Sequence, residues 1–406
     1  VSWGMATATR TAAVSDATNR VMSALGTMRE SRFGSFIPVM VALVAIWVYF
    51  GLTEPNFLSP RNFHFLFLQS AVVGTLAVGI TIVLLIGDID LSAAAMAGVC
   101  AALLAVLITN EGVPVPIAIV AVVIVGILLS GAEGVIVAFV RIPSFVVTLA
   151  GLLVFQGLML KVLGIHGALN MRDPFIRGLT TTELPNEVGW ALVVFGVVAL
   201  AILVWRTRRK RASMGLELDP IYADVAKIAG FGLLAGIGVA ILNGYRGVPV
   251  VVVLLLVVTA ILGWITTSTR FGRSLFAVGG NTESARRVGI SITWTRVAAF
   301  GIVGLMAAFA GIVGASRFAS VSYNAFAGGP LLLNAIGAAV IGGTSLFGGR
   351  GSVWNAILGA LVIGSVGNGL DLGGATAADK FIISGAILLL AVSLDAISRR
   401  GAQQTR

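Results

Sequence analysis

Apolar runs long enough to cross a bilayer recur along this chain, and they leave it few folds to choose from. Crossing about 30 Å of hydrocarbon takes roughly 20 residues of helix. Backbone N–H and C=O groups must find partners within the chain in that medium, so such runs form helices. About 12 are read here, at roughly 36–52, 65–86, 91–109, 115–140, 144–163, 189–205, 223–242, 248–266, 295–316, 331–346, 353–370 and 381–397. The expected fold class is all-α: a polytopic transmembrane helical bundle in which some segments are broken or re-entrant. The run from Ala71 to Leu107 is interrupted only by GDIDLS, read as a turn between two spans. A soluble fold is excluded by charge, since 11% of the residues are charged against roughly 25% in soluble domains.

The net charge of +10 does not indicate nucleic acid. Arg and Lys gather in short stretches between apolar runs, where orientation signals belong. The basic run RTRRKR, Arg206–Arg211, is one such signal beside anionic lipid. An even number of spans puts both termini on one side. With both termini cytoplasmic, the large majority of the 27 lysines and arginines fall inside, as the positive-inside rule requires. The chain then divides into a flexible cytoplasmic tail over 1–35, a transmembrane domain over 36–398 and a short cytoplasmic tail over 399–406. The loop 267–294 lies inside and the loop 164–188 outside. The chain is expected to cross its membrane many times. The lone Cys100 and the separated His64 and His166 match no metal-ligand spacing. No zinc-protease or nucleophile–base pattern occurs, so no catalytic residue, metal or cofactor is assigned to this chain.

The longest polar interruption is FGRSLFAVGGNTESARRVGI, Phe271–Ile290. It is no phosphate-binding loop. Gly-Lys occurs nowhere in the chain, and VGGNTE lacks the dinucleotide-binding glycine spacing. It does predict a short helix. Asn281 or Thr282 can accept a hydrogen bond from a free N–H of the first turn. Glu283 then sits at the positive end of the helix dipole, with Arg286 and Arg287 at the negative end. Gly289 can take a left-handed conformation after the last turn, and Gly279-Gly280 is expected to form the sharp turn that leads in. A helix of about two turns is not stable alone, so it packs on its own bundle or on a cytoplasmic partner.

Other polar residues interrupt the apolar runs. GDIDLS places Asp88, Asp90 and Ser92 between two spans. They either lie at the cytoplasmic interface, with Asp90 or Ser92 capping the next helix, or line the inner mouth of a path. An alternative mechanism, a proton-coupled secondary carrier, would use Asp88 and Asp90. IGGTSLFGGRGS, Ile341–Ser352, is glycine-rich and breaks a second run. Thr344, Ser345 and Asn368 either line a translocation path or bond helix to helix. The stretches LLIGDIDLSAAAMAG and AVIGGTSLFGGRGSVWNAILG share an apolar–break–small-residue pattern, suggesting corresponding halves of an internal repeat.

In GRSLFAVGGNTESARRVGI, GDIDLS, IPSFVVTLAG and AVIGGTSLFGGRGSVWNAILGAL, the chain resembles the permease subunits of bacterial ABC importers for simple sugars. ILNGYRGVPV and the extra span near 223–242 resemble the xylose-type member. The resemblance implies import of a xylose-like monosaccharide by a dimer of two permease copies. It also implies a cytoplasmic ABC ATPase that carries the ATP and Mg, and an extracellular or periplasmic sugar-binding protein. By the matching motif, Gly280, Asn281, Glu283, Ala285, Arg286 and Gly289 would contact the ATPase. One departure stands out. The family pattern ELDAIAA carries acids where this chain reads LLLNAIGAA, with Leu332 and Asn334 in their places.

Overall fold

The computed structural model describes residues 36–218, 220–327 and 330–404, so the 1–35 tail lies outside the described residues. The expected apolar segments fall largely on helices, though the one read over 331–346 stops at Ile341, where the glycine-rich break begins. The first is α1, Phe36–Thr53, followed by α2, Pro60–Leu85, which Ser59 caps by accepting from Asn62 N. Next come α3, Ala93–Thr109, and α4, Val115–Val135, which runs into a π-helical turn, Ile136–Val140. Helix α5 covers Ser144–Leu163 and leads through strand β1, Ala168–Asn170, to the short α6, Pro174–Thr181. Strand β2, Glu183–Leu184, precedes the long pair α7, Asn186–Ser213, and α8, Ile221–Asn243. Strand β3, Val248–Pro249, opens α9, Val250–Ser268.

Two short helices follow, α10, Arg270–Gly280, and α11, Thr282–Arg287, before the long α12, Ile292–Phe318. Strand β4, Ser320–Ser322, α13, Tyr323–Ala327, and α14, Pro330–Ile341, lead to the glycine-rich break. Helices α15, Val353–Leu372, and α16, Ala377–Gln404, complete the order. Residues 399–404, read as tail, continue α16.

Among the described residues, nine helices are long and apolar enough to cross a membrane, fewer than the twelve segments expected. The difference is one of length and composition. Helix α3 has 17 residues, about 26 Å of rise, and is buried along most of its length. The apolar part of α1, Pro38–Thr53, is shorter still. The α16 segment is not among the nine.

Helices α2, α3 and α12 form the centre. Apolar side chains alone do not drive helices together in lipid, so contact depends on close backbone approach. Gly126 of α4 and Gly304 of α12 meet backbone to backbone, and a Cβ at either would overlap the other's carbonyl oxygen or crowd it. Ser130 Oγ donates to Phe300 O at 2.8 Å across the same seam. By contrast α7 and α8 are mostly exposed, the pattern of helices facing lipid. Arg208 of the basic run bonds Asp224 at 2.8 Å, tying α7 to α8.

The strands join connecting segments at one end of the bundle. β1 pairs antiparallel with β4, Ala168 opposite Ser322, and β2 with β3, Glu183 opposite Pro249. The breaks at 86–92 and 342–352 lie at the other end.

Candidate functional site

At that other end, four separated stretches meet: the break 86–92, the turn 141–143, segment 270–291 and the glycine-rich loop 342–352. The break after α2 forms because Gly87 takes a left-handed φ of +81°. Gly349 N donates to Leu85 O at 2.9 Å, so the second break is bonded to the end of α2. A Cβ on Gly348 would come within 2.7 Å of Gly87 N and 3.0 Å of Gly279 Cα. The two stretches with the shared apolar–break–small-residue pattern are thus both helix–break–helix units, and their breaks touch. Ser144 at the start of α5 joins them, its Oγ accepting from Ile89 N at 3.1 Å.

Segment 271–290 folds as two helices where sequence predicted one. Thr269 Oγ1 accepts from Gly272 N at 3.2 Å and starts α10. Leu275 and Val278 bury its inner face. This corrects the reading of Gly279-Gly280 as a turn: both glycines are helical and end α10. Gly279 lies where α10 touches the Leu85 carbonyl, and a side chain there would overlap it. The turn comes one residue later. Asn281 is extended, and its Oδ1 accepts from Ser284 N at 2.8 Å to cap α11. Thr282 Oγ1 instead donates to Val278 O at 2.9 Å. Ala285 is buried and seats α11 on the bundle. Glu283 pairs with Arg286 at 3.5 Å and with Arg287 at 3.6 Å. Gly289 takes φ +82°. The outer face carries Glu283, Arg286 and Arg287, with the apolar Val288 75% exposed beside them.

The acids of GDIDLS part company. Asp88 faces a cavity and pairs with Arg296 of α12 at 2.9 Å. Asp90 turns inward, and its Oδ1 accepts from Ser92 N at 2.7 Å. The Ser92 hydroxyl makes no cap bond; it lies 2.7 Å from Asp90 Oδ1 and 2.9 Å from Glu133 Oε2. A hydroxyl has one hydrogen to give. That of Ser92 lies between the two carboxyl groups and joins them into one buried cluster. Glu133 was not singled out in the sequence. The signal was there, a lone acid within an apolar span. Gly151 of α5 makes room for it, since a Cβ there would overlap Glu133 Oε1. We expect Glu133→Gln to keep the thermal unfolding midpoint near wild type, because the amide keeps the size and the hydrogen-bonding capacity of the carboxyl group. Glu133→Ala should lose about 1–3 kcal/mol by stranding buried polar groups, read in the same unfolding experiment.

Thr344 and Ser345 are both buried in the glycine-rich loop. Ser345 Oγ accepts from Phe347 N at 3.3 Å, which shapes the loop itself. Asn368 is not at this end. It lies roughly 22 Å along α15 from the loop, and its Oδ1 accepts from Asn62 Nδ2 of α2 at 2.7 Å. Of its two readings, the bond made is helix to helix. Leu332 is buried at 8% exposure and Asn334 partly so. Among the described residues no group of three His, Cys, Asp or Glu is placed to hold a metal.

Comparison with known proteins adds the following. A family model described as "Branched-chain amino acid transport system / permease component" matches residues 62–392. The xylose transport system permease protein XylH of Escherichia coli (strain K12) is 36% identical over 363 residues, covering 89% of this chain and 92% of the relative. The autoinducer 2 import system permease protein LsrC of Salmonella typhi is 30% identical over 350 residues, 86% of this chain and 82% of that one. The ribose import permease protein RbsC of Bacillus subtilis (strain 168) is 29% identical over 364 residues, 90% and 92%. No solved structure gives a significant match.

Proposed function

This chain belongs to the branched-chain amino acid transport system / permease component family, among its ABC sugar-importer permeases of the inner membrane, and from that premise we propose that it passes a xylose-like pentose or related monosaccharide inward. A separate ATPase docks on segment 271–290 and drives it. Two copies of the permease enclose the path, and a binding protein delivers sugar outside. The substrate class rests on the similarity to xylose and ribose permeases. The proton-coupled alternative is not favoured. Asp88 is held by Arg296 and Asp90 by Ser92, and the family supplies its energy through an ATPase.

The observation that carries this reading is α11. It is capped at both ends, seated through Ala285, and bears charged groups and Val288 on its free face. Through Gly279 of α10 it is in close backbone contact with the end of α2 and with the glycine-rich break. ATP can bias the pore only if the ATPase binds one pore conformation better than the other. A short rigid helix locked to the breaks transmits such a preference, whereas a loose loop would absorb it.

The test is ATP-dependent uptake together with co-purification of the ATPase, in a Glu283→Lys, Arg286→Glu variant. Both residues are exposed, so the fold should be unaffected. Uptake and co-purification are expected to fall together, by roughly tenfold or more for lost charged interface contacts. If both stay at wild-type level, the docking assignment is wrong.

A further inference from the structure

The seam between α4 and α12 carries two adjoining hollows of opposite character. At the end where the breaks meet, a cavity of about 710 Å³ is lined by Arg141, Arg286, Arg296 and Asp88, with Ser144 and Ser291. Immediately along the same two elements lies a groove of about 590 Å³. Its lining is apolar and its floor is small: Gly131 and Ala132 on α4, Ala298 and Gly301 on α12. A Cβ on Gly131 would meet nothing within 4 Å, and one on Gly301 would meet only Ile127 Cγ2 at 3.9 Å. The two linings adjoin at Val297 and Arg296 on α12, and on the other side at Val135 and Val137, which flank Ile136.

The charge of the cavity is specific. Asp88 engages Arg296 at 2.9 Å, and Glu283 reaches Arg286 only at 3.5 Å. No ion pair engages Arg141 among the described residues. The lining therefore sets three guanidiniums against one carboxylate, Asp88, which leaves positive charge for an anion. Arg forms bidentate bonds to phosphate oxygens. Phe139 and Trp294 straddle the seam at this level, both exposed, with ring centroids 6.3 Å apart. Trp is enriched in the headgroup layer, and Trp294 places this level there. A basic hollow at headgroup depth, continuous with an apolar groove at acyl depth, has the outline of a lipid.

We propose that this seam binds an anionic phospholipid, with its phosphate among Arg141, Arg286 and Arg296 and one acyl chain lying over Gly131 and Gly301. The lipid would touch α11 and α12 together, so it would bear directly on the segment that meets the ATPase. The site itself needs only that the chain spans a membrane. It stands whether or not the docking assignment does.

Native mass spectrometry of the purified permease tests it, after exchange into phosphatidylglycerol or phosphatidylcholine of identical chains. Wild type should retain phosphatidylglycerol with about fivefold or greater preference, the effect of roughly one basic contact. Arg141→Asn keeps a residue that tolerates the left-handed backbone found there, φ 64°. It should remove most of that preference. Gly301→Leu fills the groove and should lower retention of both lipids. Equal retention of the two lipids by wild type would overturn the proposal. So would displacement of phosphatidylglycerol by millimolar inorganic phosphate, which would mean a free-anion site. Retention unchanged by Gly301→Leu, with loss of a permease dimer instead, would assign the groove to a second copy of the chain and overturn it equally.

Discussion

Valine at position 279 is expected to abolish transport. A Cβ there overlaps the Leu85 carbonyl oxygen and comes within 2.6 Å of the Gly349 amide nitrogen. Both obstacles are backbone. Neither can swing aside as a flexible side chain would, so the expected penalty exceeds the roughly 1–3 kcal/mol of ordinary overpacking. The contact is also where α10 meets both helix breaks, so relieving the clash pries the segment away from the part of the bundle it is proposed to move. Gly279→Val should therefore lose ATP-dependent uptake entirely. Protein that still reaches the membrane should unfold at a lower temperature. The neighbouring Gly280→Ala is the control, since its Cβ would meet nothing within 4 Å. It should leave the unfolding temperature unchanged. Equal stability and uptake for Gly279→Val and wild type would show that this junction does not matter.

The second large effect concerns Asp88 and Arg296. Their side chains are 9% and 26% exposed and 2.9 Å apart. Removing one partner from a buried pair leaves an uncompensated charge, at a typical cost of about 3–5 kcal/mol. Arg296→Gln or Asp88→Asn alone should show that loss. The double variant Asp88→Asn, Arg296→Gln should recover most of it, because neither charge is then left alone. A double-mutant cycle on thermal unfolding measures the coupling. Additive losses, with no recovery in the double variant, would mean that the pair contributes nothing across this junction.

These two junctions also mark the limit of what the sequence shows. The spans follow from apolar runs because crossing hydrocarbon imposes a length and a composition. The Asn281 cap and the left-handed Gly289 were legible because both are local: each depends on neighbours within a few positions. Gly279 was misread for the same reason in reverse. A glycine pair beside a capping residue reads locally as a turn. What fixes Gly279 is the approach of Leu85 and Gly349, which are remote in the sequence. The partnership of Asp88 with Arg296 is likewise tertiary. Glu133 had no recognisable neighbour until folding brought Ser92 to it. Asn368 carries a polar group suited to either role, and only its distance from the breaks and its bond to Asn62 separate them.

Chemical labelling at position 284 tests most directly whether α11 is the cytoplasmic lever. Ser284 lies on α11 and is exposed, while the native Cys100 is buried, so Ser284→Cys introduces one reactive thiol. A membrane-impermeant maleimide should leave it unmodified in intact cells and react with it in inverted membrane vesicles. It should react less once the ATPase is added. Reaction from outside intact cells would contradict both the orientation of the bundle and the source of its drive.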